Sequence, residues 1–179
     1  VIKLGQVSCD DLIIDAKSGV TGAGRSLKET NLFSEIAEGL APYGIAHHRH
    51  APEIEQEIGF AAGSDNVTIN FTPHLVPMNR GELVTIYAKT NGLKADDVRA
   101  SLNAFYDDKH FVRIVGAEET PATRHVRGSN YCHVGVYDDR LPNRIILVAT
   151  LDNLVKGSSG QAIQNMNLMC GFEETSGLT

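Results

Sequence analysis

The residues best equipped for chemistry fall in four short stretches, and residues 47–50 are the densest of them. They read His47-His48-Arg49-His50, three imidazoles in four positions. Imidazole is the side chain whose ordinary pKa lies nearest neutrality, so it takes and returns protons at physiological pH. Ala51-Pro52-Glu53 follows at once. Proline at a first helical position with an acid in the first turn marks a helix N-terminus. The positive end of the helix dipole disfavours imidazolium there, which keeps the ring neutral and able to act as a general base. A metal site and a solvated polar turn are the alternatives. The metal reading has no cysteine or HExxH partner, and adjacent side chains splay apart.

The second stretch, residues 15–25, reads Asp-Ala-Lys-Ser-Gly-Val-Thr-Gly-Ala-Gly-Arg. Its glycines let backbone N–H groups turn towards an anion, with Lys17 and Arg25 adding charge and Ser18 and Thr21 hydroxyls. It matches neither a Walker loop nor GxGxxG, and an irregular surface loop is the other reading. The third stretch, residues 123–132, carries Arg124 and Arg127 in a polar loop that enters a strand. Arginines there suit a bidentate clamp on phosphate or carboxylate, or a structural ion pair. The fourth is the helical run 161–167, whose amides suit a carboxamide or plain solvent and whose apolar stripe is expected in the core. Cys9, Cys132 and Cys170 have no partner base; Cys132 precedes His133, but strand neighbours point to opposite faces. Each is expected to be a structural thiol. His74, His110 and Met78 form no pattern and are expected to be structural or surface residues.

These stretches need elements to hold them. Residues 11–15 read as a short buried strand entering a glycine-rich loop at 16–25. Leu32, Phe33, Ile36, Ala37 and Leu40 recur at helical spacing, closed by Pro42 and Gly44. A second helix is expected from residue 52 to about Ala62, stopped by Gly63. Val67, Ile69 and Phe71 alternate as a strand, residues 83–90 form another, and Pro73, Pro77 and Gly81 lie between them. A helix over 95–107 with Val98, Leu102 and Phe105 on one face precedes strands at 111–115, 131–137 and 145–151. Helical spacing returns over 158–172. Strands mixed with helices without strict alternation predict an α+β fold, a mixed and partly antiparallel sheet with helices packed on one face.

Composition narrows the class. The chain has 179 residues, 42% hydrophobic and 21% charged, with a net charge of −6. That is one foldable domain, and its acidity argues against nucleic-acid or anionic-membrane partners. No apolar run approaches the roughly 18–20 residues of a membrane span. The first ten residues lack a signal-peptide pattern, and three scattered cysteines suit a reducing compartment, cytoplasmic or plastid.

Five segments together resemble one family. DAKSGVTGAGR (15–25), YGIAHHRHAPEIE (43–55), FTPHLVPMNRG (71–81), HVRGSNYC (125–132) and KGSSGQAIQNMNL (156–168) are similar to N-acetyl-gamma-glutamyl-phosphate reductases, in the same order. The resemblance implies an architecture like aspartate-semialdehyde and glyceraldehyde-3-phosphate dehydrogenases. In it, an N-terminal Rossmann domain binds NADP and a second domain supplies substrate contacts and the dimer interface. It implies NADPH-dependent reduction of N-acetyl-glutamyl phosphate to the semialdehyde through a cysteine thioester, in arginine biosynthesis.

The family's Gly-Cys-Tyr-Pro nucleophile turn and its dinucleotide-binding turn have no match in this chain, and Val1 falls just after the nucleophile segment. The expectation is therefore a second half, residues 1–155 as substrate and dimerisation domain and 156–179 as a helix packing on the Rossmann half, inactive alone. The implied partners are the acyl phosphate, that Rossmann half and further copies of the chain, as dimer or tetramer. The implied catalytic residue is His48, for proton transfer with the thiol. Tyr43 and His50 line its cleft. Ser18, Gly19, Arg25, Arg49 and Arg127 are implied for phosphate or carboxylate, and Gln161 and Asn165 for the nicotinamide. No metal ligand is expected. A non-catalytic assembly module, joined through its sheet, is the alternative.

Overall fold

The computed structural model describes residues 1–25 and 28–179. Among the described residues seven strands make one sheet: β1 (Leu12–Gly19), β2 (Ala41–Pro42), β3 (Ile69–Val76), β4 (Glu82–Lys89), β5 (Val112–Ile114), β6 (Cys132–Asp138) and β7 (Arg144–Leu151). Their order is β2-β3-β1-β4-β7-β6-β5. The pairs β1–β3 and β5–β6 are parallel, and the other four are antiparallel. The helices are α1 (Phe33–Ile36), α2 (Ala51–Ala62), α3 (Ala95–Tyr106) and α4 (Gly160–Cys170), the last preceded by a π-helical turn, Val155–Ser159. The expected mixed sheet is present.

Two helices, α2 and α3, cover one face of the sheet. Ile54 and Ile58 of α2 and Val98 and Leu102 of α3 pack into the cluster of Leu12, Ile14, Ile69, Val136 and Ile145. Pleating sends alternate residues to the far side. There Ile13, Tyr87, Ile146 and Tyr137 stand in register, with Thr85 beside Val148. Ile13, Tyr87, Ile146 and Val148 on that side are only half-buried and lie outside the cluster into which α2 and α3 pack.

α2 starts and stops where its sequence dictates. Pro52 occupies the first turn with Glu53, and Gly63 ends the helix at φ +66°, a left-handed geometry that glycine adopts without strain. At the start of α3 the Asp97 carboxylate accepts the Lys94 backbone N–H at 2.9 Å.

Four expectations need correction. β1 continues through Gly19, because β3 and β4 flank it on both sides; only residues 20–25 form the turn region. Pro73 lies inside β3. Its carbonyl accepts the Tyr43 N–H at 3.0 Å. In a strand, N–H and C=O of one residue point the same way, so the donor Pro73 lacks would face the end of the two-residue β2, not β1. The helix expected over 32–40 is a single turn, α1, with Leu32, Phe33 and Leu40 51–84% exposed. A helix that short needs a packed face, which these side chains lack among the described residues. Phe105 is 68% exposed and rests edge-on against Tyr106, outside the α3 core face.

Candidate functional site

The sheet gathers its chemistry at one end. β1 and β7 finish there at Gly19 and Leu151, and β4 and β6 begin there at Glu82 and Cys132. β2 pairs with Leu75 and His74 at the same end of β3, and the chain then runs through Tyr43 to the N-terminus of α2.

His48 is the centre of this rim. Its ring meets Tyr43, His50 and Phe71 edge-on, at centroid distances of 5.3, 4.9 and 5.2 Å. Its Nδ1 accepts the His50 backbone N–H at 3.2 Å, which leaves any proton of a neutral ring on Nε2. Gly44, at φ +58°, makes room: a Cβ there would lie 2.9 Å from His48 Cδ2. Burial lowers the His48 pKa below its ordinary value, and the charges of His50, Arg49 and His47 lower it further. The lowered pKa keeps the imidazole neutral at pH 7, with its Nδ1 lone pair taken by the His50 N–H.

Glu82 faces the same cluster, and the sequence reading passed it over. It sits opposite Ser18 in register. Burial raises its carboxyl pKa, and His50 opposes that rise. Tyr43 is raised by burial and then by Glu82, against the pull of Arg49. The available signal was one acid at the head of the apolar run Glu-Leu-Val-Thr-Ile-Tyr-Ala.

A second missed feature is the pair Asp152-Asn153, which ties the rim loops together. Asp152 is 0% exposed. Its carboxylate accepts the N–H groups of Gly128 at 2.7 Å, Leu154 at 2.9 Å and Val155 at 3.2 Å, and pairs with Arg80 Nε at 3.1 Å. Burial pushes its pKa up, but these N–H bonds and the Arg80 charge outweigh that and hold it below the ordinary carboxylate value. Asn153 accepts the Gly81 N–H at 2.7 Å and donates to Thr21 Oγ1 at 2.9 Å. A polar pair directly after an apolar strand was the signal for this knot.

The other expected residues divide. Ser18 lies on the rim, with its hydroxyl only 3.4 Å from the Gly19 carbonyl. Gly19 is there for a structural reason: its N–H is donated to the Gly81 carbonyl at 2.9 Å, and a Cβ would fall 2.8 Å from the Met78 carbonyl. Arg49 is exposed beside His48, whose titration it affects. Arg127 is exposed on the loop that Asp152 anchors through Gly128. Arg25 is exposed in the turn after β1, and no contact joins it to the imidazoles among the described residues. No group of three or more potential metal-ligating side chains occurs among the described residues.

α4 reverses the expected orientation. Its buried side chains are the amides Gln164 and Asn167, while Ile163, Met166, Leu168 and Met169 are 37–87% exposed. Gln164 accepts from Asn130 at 2.9 Å and from Lys156 at 2.7 Å, and donates to Glu174. Gln161 and Asn165 lie together on the outer side, Nε2 to Oδ1 at 2.9 Å.

Residues 1–153 match the family model described as "Semialdehyde dehydrogenase, dimerisation domain". The chain belongs to that family. Among curated relatives of this semialdehyde dehydrogenase domain is the N-acetyl-gamma-glutamyl-phosphate reductase of Afipia carboxidovorans, 53% identical over 99% of this chain and 51% of the relative. The probable chloroplastic reductase of the same name from Arabidopsis thaliana is 51% identical over 99% of this chain and 44% of its own length. The chain thus spans about half the length of the curated relatives it matches. Among solved structures, a probable aspartate-semialdehyde dehydrogenase from Pseudomonas aeruginosa superposes at TM-score 0.72 with 20% identity, covering 94% of this chain and 57% of that one. Aspartate semialdehyde dehydrogenase II from Vibrio cholerae gives 0.71 at 18% identity, over 92% and 56%. At such identities these structures establish the fold alone: the sheet and helices described above are those of a semialdehyde dehydrogenase dimerisation domain.

Proposed function

We propose that this semialdehyde dehydrogenase domain is the substrate-binding and proton-transfer half of an N-acetyl-gamma-glutamyl-phosphate reductase. The whole enzyme would reduce N-acetyl-L-glutamyl 5-phosphate to the 5-semialdehyde with release of phosphate. The observation that carries this is His48, held neutral at the sheet's end in a chain more than half identical to reductases of that name.

His48 accepts the proton of a cysteine thiol supplied by the other half and returns it to the substrate oxygen. Tyr43, His50 and Gly44 hold the ring in place; for Nε2 to accept the thiol proton, the ring gives up the His50 N–H bond and carries its own proton on Nδ1. Ser18, Arg49 and Arg127 supply the polar rim for the acyl phosphate and carboxylate, and Gly19 lets the neighbouring turn approach. NADPH supplies the hydride when bound. Gln161 and Asn165 fit its nicotinamide carboxamide, because an exposed amide pair offers both a donor and an acceptor.

The other half has a place to dock. The apolar side chains Ile163, Met166, Leu168 and Met169 on the outer side of α4 suit a partner surface, consistent with residues 156–179 packing on a Rossmann domain. The helix-free sheet face, with Ile13, Tyr87, Ile146 and Val148, suits a second copy, dimer or tetramer. That face also favours the other reading, an assembly module without catalysis. The chemistry and the reducing compartment fit a cytosolic or plastid enzyme.

His48→Ala in the full-length protein separates the readings. Under the reductase reading, turnover falls about 100-fold or more while KM for NADPH stays within twofold. An unchanged rate removes the proton-transfer role.

A further inference from the structure

Arg80 is held in an unusual way for a purely structural arginine. Structural arginine–carboxylate pairs commonly use two nitrogens in a fork, each on its own oxygen. Here Nε alone reaches both oxygens of Asp152, at 3.3 and 3.1 Å. Asp152 has three backbone N–H donors besides. Neither Nη nitrogen has a protein acceptor among the described residues, and the side chain is 31% exposed, so the outer edge of the guanidinium is open.

Its position is on the site's rim. Arg80 closes the turn between β3 and β4, two residues before Glu82, whose carboxylate senses His50. The next residue, Gly81, takes the Gly19 N–H on its carbonyl and gives its own N–H to Asn153. Asn79 accepts from Thr21 across the same turn. The turn is therefore locked to β1 and to the segment after β7, and the guanidinium stem cannot swing freely. Arg25, Arg49 and Arg127 are exposed by contrast. A cation already ordered by a buried carboxylate loses little freedom on gripping an anion, which makes it the better binding group.

We propose that Arg80 is an oxyanion-binding residue of this site and that Asp152 is its positioning residue. The ligand group is an oxyanion of the substrate, either the phosphoryl group that departs or the carboxylate that stays. This rests on the reductase reading above. Both groups match the two open Nη nitrogens, which present parallel N–H donors to a pair of oxygens. The sequence offered Arg80 only as one letter of the segment 71–81; its role depends on a carboxylate 72 residues away.

The test uses the full-length enzyme and the variants Arg80→Gln and Arg80→Lys. Run in reverse, the reaction takes the semialdehyde, inorganic phosphate and NADP as separate substrates, so their KM values separate the two sources. If Arg80 grips the phosphoryl group, R80Q raises KM for phosphate about tenfold or more and leaves that for the semialdehyde within twofold. If it grips the carboxylate, the pattern inverts. In both cases KM for NADP is unchanged and R80K recovers only part of the loss, because a point charge cannot reproduce the fork.

Calorimetric titration of inorganic phosphate and of N-acetylglutamate into wild-type and R80Q gives a readout that needs no turnover. Wild-type protein without turnover sinks the reductase reading, whereas Arg80 stands if one of these anions binds and R80Q weakens it about tenfold. A folded R80Q with both KM values and both anion affinities within twofold of wild type overturns the proposal and leaves Arg80 a structural ion pair, as does wild-type protein that binds neither anion.

Discussion

The charge state of a histidine is set by its neighbours, as His48 shows. Burial disfavours its charged form, and His50, Arg49 and His47 add repulsion, so its pKa lies below the ordinary value near 6.5. The neutral form is needed for proton acceptance, so the acid limb of kcat/KM belongs below pH 6.5. Arg49→Gln removes one repelling charge, raises the pKa of His48 and moves that limb to higher pH. A limb that does not move, read from a pH–rate profile of the full-length enzyme, detaches the titration from His48. Asp152 works with the opposite charge. Its carboxyl lies below the ordinary value, so its stabilisation is complete above about pH 4 and fades as pH falls through the lower folded pKa. Asp152→Asn loses the charge and sets an amide N–H₂ against backbone donors. It is expected to cost about 3 kcal/mol at pH 7, with the gap to wild type closing in acid, by denaturant unfolding at several pH values.

At the scale of elements, the site depends on where strands stop and on what passes close by. Gly44 illustrates this: its φ of +58° and the 2.9 Å left for a Cβ beside His48 Cδ2 are both needed for the ring to sit as it does. Gly44→Ala strains the turn and displaces the imidazole. Turnover is expected to fall about tenfold with KM for NADPH unchanged, since a misplaced base loses rate before binding. The start of α2 was legible because Pro52, Glu53 and Gly63 are local signals. The length of β1 was not, because glycines at 19, 22 and 24 read as a loop until β3 pairs with the first of them and Gly81 takes its N–H. The single-turn α1 went wrong for a related reason, since helical spacing without a surface to bury it carries little stability.

For the whole molecule, two uncovered apolar surfaces stand out. The sheet face around Ile13, Tyr87 and Ile146, on a domain of a family named for dimerisation, is expected to pair with a second copy. The outer side of α4 is expected to need the remaining half of the enzyme. The isolated 179-residue chain should therefore scatter light as a dimer or larger at micromolar concentration, yet give no NADPH-dependent turnover of the acyl phosphate. A monomer there argues against the sheet face, and turnover argues against the division of labour.

What residue order alone settled was local. Three imidazoles before a helix start marked residues 47–50 as candidate chemistry, the family segments implied a cleft of His48, Tyr43 and His50, and the mix of strands and helices predicted an α+β sheet covered on one face. What only the tertiary structure decided was which side chains meet. Glu82 feels the charge of His50 because β4 begins at the end of the sheet where α2 starts, and Asp152 reaches Arg80 because β7 ends beside the β3–β4 turn. α4 turned inside out for the same reason. Its spacing showed two faces, but which one is buried depends on neighbours: Asn130, Lys156 and Glu174 satisfy the amides, and the apolar face is left exposed.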